Sequence, residues 1–147
     1  MKYLRLGKLV ATILGGVILA GSVQMAQAAE LPAGSAQAMD KYLQAWVTDD
    51  AAQRKQLLEQ AVSTDFSYRD PGAYKQGRES LINYIVEVRH HYNDLQARWL
   101  GPAVWKGDVF ERPWRMERAN GDQLFTGVDK LEFDQEGRLK TLVGRFE

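Results

Sequence analysis

Gln123-Leu-Phe-Thr-Gly-Val-Asp-Lys-Leu-Glu-Phe133 decides the fold. With a period of two, Phe125, Gly127, Asp129, Leu131 and Phe133 share one face, and Leu124, Thr126, Val128, Lys130 and Glu132 share the other. Lys130 and Glu132 mark the solvent side, so the segment predicts a strand with an aromatic inner face. Turn chemistry bounds it on both sides. Ala119-Asn120-Gly121-Asp122 precedes it and suits a hairpin, because Asn-Gly tolerates positive φ. Asp134-Gln135-Glu136-Gly137 follows it.

Working outward, Val109 to Arg118 and Leu139 to Phe146 read as the flanking strands, and Leu95 to Trp105 as a further strand bent near Gly101-Pro102. Pro113 lacks a ladder donor and predicts an edge or a bulge within its strand. Before Asn93-Asp94 the period is helical. Met39, Leu43, Trp46 and Val47 predict a helix over 36–48 with Ser35 as its N-cap. Leu57, Leu58, Ala61 and Val62 predict a second over 51–62, capped by Asp49 or Asp50. Leu81, Ile82, Ile85, Val88 and Tyr92 predict a third over 78–92, after Gly77. A short strand, Phe66 to Asp70, is ended by Pro71-Gly72. Helices gathered first and strands gathered last imply an α+β domain, with three helices packed on one face of a curved antiparallel sheet.

The N-terminus carries a different message. Lys2, Arg5 and Lys8 precede an uncharged run from Leu9 to Gly21, and a polar stretch ends at Ala26-Gln27-Ala28. This is the three-part pattern of a secretory signal peptide, cleaved after Ala28. The apolar run is short of the roughly 20 residues a membrane span needs. The expected organisation is a signal peptide at 1–28, a short linker at 29–37 and one domain at 38–147, periplasmic or secreted, with no membrane attachment after cleavage. The chain has 19 basic and 19 acidic residues, so losing three basic ones leaves the mature part acidic. That balance argues against a nucleic-acid partner. There is no cysteine, hence no disulfide, thiol nucleophile or cysteine-zinc site.

Candidate chemistry collects on the inner faces. Asp129 sits among aromatic groups, where the charged form of a carboxyl is disfavoured. Phe66, Tyr68 and Asp70 share a face of the short strand, and Asp70 stands at its end, where it can project into a cavity mouth. Two acids in different surroundings can divide acid and base roles. Tyr42 and Trp46 are i, i+4 neighbours on the first helix, and Tyr42 can donate a hydrogen bond toward the same space. The same residues have plainer readings. An Asp before Pro is commonly a turn-former, and an inward Asp129 can bond backbone amides or Arg115, Arg118 or Arg145. Phe110, Arg112, Trp114 and Met116 share a face, with Trp99 and Trp105 on neighbouring strands. These rings can be packing, pocket lining or a sheet-face dimer contact. Trp46, Phe66, Tyr68, Trp114 and Phe125 are the candidate ligand-contacting residues. His90 and His91 end the third helix, where positive charge suits the helix terminus. No H-E-x-x-H, Gly-rich phosphate loop or nucleophile elbow is present, so no metal, cofactor or nucleotide is expected.

Tyr42-Leu-Gln-Ala-Trp46, Phe66-Ser-Tyr-Arg-Asp-Pro71, Gly77-Arg-Glu-Ser-Leu81, Gly127-Val-Asp-Lys-Leu-Glu-Phe-Asp134 and Gly137-Arg-Leu139, in that order, resemble the SnoaL-like branch of the nuclear transport factor 2-like (NTF2-like) superfamily over about 38–147. The resemblance implies a cone-shaped α+β barrel, three helices and a strongly curved sheet enclosing a pocket. The superfamily includes ketosteroid isomerase, which pairs a general-base Asp with a Tyr and a protonated Asp as oxyanion donors. The resemblance implies these roles for Asp70, Tyr42 and Asp129. It implies cofactor-free isomerase, cyclase or dehydratase chemistry on a small apolar carbonyl compound, and a homodimer through the sheet face. A non-catalytic ligand-binding or protein-interaction module of the cell envelope is the alternative. An immunity or assembly protein using the exposed sheet face is a third.

Overall fold

The computed structural model describes residues 29–147. Residues 1–28, expected from the sequence to be a signal peptide, lie outside the described residues. Three helices, α1 (Ser35–Val47), α2 (Ala51–Ala61) and α3 (Arg78–His91), pack on a seven-stranded sheet. The strands are β1 (Val62–Asp70), β2 (Ala73–Gln76), β3 (Gln96–Trp99), β4 (Val104–Trp105), β5 (Phe110–Glu117), β6 (Gln123–Phe133) and β7 (Leu139–Phe146). Their order is β2-β1-β7-β6-β5-β3, with β4 also paired to β5, and the sheet is open. The α+β reading holds, but the sheet is not wholly antiparallel: β1 runs parallel to β7.

Four local expectations are corrected. Gly34, not Ser35, is the N-cap of α1, and Ser35 is a buried first-turn residue. The short strand begins at Val62 rather than Phe66, so Val62 belongs to β1 and not to α2. Pro71-Gly72 does not merely end β1. It is the tip of a hairpin whose register pairs Asp70 with Ala73 and Tyr68 with Lys75. The bent strand is two strands, β3 and β4, both on β5. Pro113 explains the split. Its carbonyl accepts from the Leu100 amide at 2.8 Å, so its nitrogen faces the same side, where the missing donor falls in the gap between β3 and β4.

The segment expected as a linker is docked at Ala33. Gly137, at φ +79 in the β6–β7 turn, lies so close to Ala33 that an added Cβ would stand 2.1 Å from that carbonyl oxygen. Glycine is therefore required twice over, by conformation and by space. The opposite end of α1 is held by side chains. Arg54 of α2 donates to the Ala45 carbonyl at 3.3 Å, and Arg89 of α3 to the Trp46 carbonyl at 2.9 Å while pairing with Asp49. Carbonyls at a helix end lack intrahelical partners, so the two guanidinium groups fix the last turn of α1, which carries Trp46. Below them Met39, Leu58, Phe66, Leu81, Ile85 and Leu142 form the core.

Candidate active site

Between α1, α3 and the inner face of the sheet lies a cavity of about 220 Å³. Each wall follows from a period. On β6 the inner residues Phe125 and Asp129 line it, as the alternation predicts. Trp114 and Met116 of β5, Phe146 of β7 and Tyr68 and Asp70 of β1 complete the sheet side. Tyr42 and Trp46 come from α1, and Tyr84, Val88 and Tyr92 from α3. Of the expected residues only Phe66 is elsewhere. It is fully buried behind Tyr42, with ring centroids 6.4 Å apart, and belongs to the core. Trp99 also stays out of the cavity and stacks on Tyr42 at 6.5 Å. Trp114 points inward and is buried, so it does not furnish the outer sheet face.

The two acids are set on either side of β7. Asp129 is opposite Gly144 in the β6–β7 register. A Cβ built on Gly144 would stand 3.0 Å from Asp129 Oδ1 and 3.8 Å from Asp70 Cβ. The missing side chain thus lets the carboxyl groups approach over one strand. Their surroundings differ sharply. Asp70, 9% exposed, accepts from the Tyr68 hydroxyl at 2.7 Å, the Tyr84 hydroxyl at 3.0 Å and the Gly72 amide at 2.7 Å. The last of these is a turn-forming bond of the kind an Asp before Pro-Gly suggests. Asp129, 6% exposed, accepts one bond, from the Trp114 indole N–H to Oδ1 at 2.7 Å. No other hydrogen bond reaches it from the described residues, and none of the three arginines considered from sequence binds it.

The electrostatics follow. Burial pushes the Asp129 carboxyl up, the Trp114 hydrogen bond draws it partly back, and the charge of Asp70 adds a smaller push, leaving it at about 7. Burial, chiefly, and the nearby Asp129 raise the Tyr42 phenol well above its ordinary value. Burial also raises Tyr68, and with the charge of Asp70 it pushes Tyr84 up to about 12. The phenols therefore remain donors at neutral pH. One consequence is measurable in the fold. The Asp129 carboxyl is near 3.8 in an open chain and about 7 in the folded one. The folded protein holds the extra proton between these values, so stability falls as pH rises. The contribution is fully present below about pH 4 and is lost as pH rises through about 7. Denaturant midpoints measured across that range are expected to show this slope, and Asp129→Asn to remove it.

Tyr84, Gly144 and Phe146 escaped the sequence reading. Tyr84 had a signal, since it forms an i, i+4, i+8 stripe with Val88 and Tyr92. Phe146 had one too, by alternation from Leu142 through Gly144. Gly144 had none, because its role is a space that only the neighbouring strand defines. Among the described residues no cluster of three or more metal-ligating side chains is present.

An open curved sheet holding three helices, with a pocket between them, is the NTF2-like fold, and solved structures of that fold match most of the chain. One is a proposed isomerase of the SnoaL-like family from Agrobacterium tumefaciens, 24% identical, covering 78% of this chain and 97% of its own at TM-score 0.69. An NTF2-like protein of unknown function from Exiguobacterium is 17% identical, covering 75% and 98% at TM-score 0.62. A proposed SnoaL-like polyketide cyclase from Jannaschia is 10% identical, covering 82% and 90% at TM-score 0.63. No family model matches the sequence, and no curated protein does.

Proposed function

We propose that this protein performs cofactor-free proton transfer on a small apolar carbonyl compound, in the manner of an isomerase, cyclase or dehydratase. The observation that carries the reading is Asp129, a carboxyl at about 7 with a single hydrogen bond from the described residues, lining an aromatic-walled cavity beside a buried phenol. A general base is most effective when its pKa lies near the working pH. Ionised Asp129 takes the proton from carbon next to the carbonyl. Electron density moves onto the carbonyl oxygen, where the Tyr42 hydroxyl donates to the enolate. Protonated Asp129 then returns the proton to the same or a conjugated carbon. Asp70, with both oxygens engaged, is less free to act as the base that its place before Pro71 suggests. It holds Tyr68 and Tyr84 in place and adds a small push to the burial that raises Asp129.

The names of the Agrobacterium and Jannaschia structures support an isomerase or cyclase of this general kind. The test uses 2-tetralone, a flat apolar ketone with acidic α-protons. In D₂O the protein is expected to accelerate loss of the α-proton signal, with a rate that rises with pH through about 7. An exchange rate equal to that of buffer, with 2-tetralone shown to be bound, would leave a binding pocket without catalysis. We also propose export: N-terminal sequencing of the protein from a secreting host is expected to begin at Ala29, outside the cytoplasmic fraction. Recovery in the cytoplasm with Met1 retained would reject it.

A further inference from the structure

We propose that Trp114, seated on Gly127, is the positioning residue of this pocket: its indole N–H ties one oxygen of Asp129 to the wall and so aims the other at the cavity. The inference deepens the acid/base reading of Asp129 and rests on it for its chemical use. Three observations carry it. Trp114 and Gly127 are register partners on β5 and β6. A Cβ on Gly127 would stand 2.6 Å from Trp114 Cζ2 and 2.9 Å from Cε2, so the indole occupies the space that a side chain there would take. From that seat Nε1 reaches Asp129 Oδ1, two residues along the same face, at 2.7 Å. Oδ1 is also the oxygen crowded toward Gly144, at 3.0 Å from its would-be Cβ. One oxygen is therefore enclosed by β5 and β7. The other has no partner among the described residues, in a side chain that lines the cavity.

The indole is itself held from the far side. Phe146 meets it edge-on, with centroids 5.9 Å apart and an interplanar angle of 83°, and Phe146 stacks in turn on Phe125 at 5.7 Å. Other polar groups around Asp129 do not take over the task. Asp70 on β1 is engaged by Tyr68, Tyr84 and Gly72. Tyr42 on α1 makes no hydrogen bond to the carboxyl. Arg112, the register partner of Asp129 on β5, turns its guanidinium over the Trp99 ring at 4.6 Å and donates to the Gly101 carbonyl.

The test reads the pair without substrate, so its failure and the failure of the catalytic reading are distinguishable. In the wild-type protein, the Trp114 indole NH resonance is expected to titrate with the same midpoint as the ¹³C-labelled Asp129 carboxyl. In Asp129→Asn that titration is expected to vanish. Trp114→Phe keeps a ring on Gly127 and removes the donor. The Asp129 midpoint is then expected to move up by about one unit, because a hydrogen bond to the charged form has been lost. The pH profile of 2-tetralone exchange is expected to move with it. An indole signal that ignores the titration, or an unmoved midpoint in a folded Trp114→Phe, overturns the proposal. If that variant does not fold, the wild-type indole titration alone decides.

Discussion

Replacing Asp129 by asparagine is expected to lower catalysed α-proton exchange by about 10² to 10⁴-fold, the range a positioned acid or base contributes. The change is nearly isosteric. The amide oxygen can still accept from Trp114, so the cavity keeps its shape, but the amide can neither take nor return a proton at neutral pH. The same substitution removes a carboxyl that must be desolvated when ionised, since the folded value is about 7. The variant is therefore expected to be more stable than the wild type at pH 8, where the carboxylate is charged. Lower activity and higher stability in one variant separate a functional carboxyl from a structural one, whose loss would weaken the fold. Exchange within about threefold of wild type would end the assignment of Asp129 as the proton carrier.

The second large effect is expected at Gly127. A methyl group there would meet the Arg145 carbonyl oxygen at 2.2 Å and the Trp114 ring at 2.6 Å. The first obstacle is backbone of the paired strand and cannot rotate away. The β6–β7 ladder has to part beside Asp129, and the indole has to leave its seat. Gly127→Ala is expected to cost about 3 kcal/mol or more, at the upper end of overpacking penalties. Urea unfolding followed by tryptophan fluorescence reads this directly. Gly144→Ala provides the contrast. Its nearest neighbour is the tip of the Asp129 side chain at 3.0 Å, which can turn, so a loss of about 1 kcal/mol is expected. Equal stabilities for the two variants would contradict the tight seat under Trp114.

Local periodicity carried the sequence reading far, and the places where it stopped share a cause. Strand β6 and the inner face bearing Phe125 and Asp129 follow from alternation within eleven adjacent residues. The three helices follow from apolar spacing, and Asp50 as the α2 cap from its oxygen, which accepts from the Gln53 amide at 2.7 Å. What a strand pairs with is not written in its own period. The parallel β1–β7 contact and the division of β3 from β4 therefore emerged only in three dimensions. Trp114 was legible as a candidate ligand contact, with a sheet-face contact left open as the alternative. Its bond to Asp129 was not, because it depends on a glycine one strand away. Phe66 shows the converse: it shares a face with Tyr68 and Asp70, yet lies too deep to reach a ligand.

The parallel pairing of β1 with β7 has a kinetic consequence. Strands β5, β6 and β7 are linked by short hairpins and can assemble early from neighbouring segments. Strand β1 can join only after the chain from Val62 to Leu139 has closed a long loop, whose entropy must be met before the contact is made. Since Tyr68 and Asp70 ride on β1 while Asp129 rides on β6, the ordering of these steps makes the cavity a late event. A chain stalled before β1 docks would hold a nearly complete meander with an exposed edge and no competent site, the species most open to mispairing with another copy.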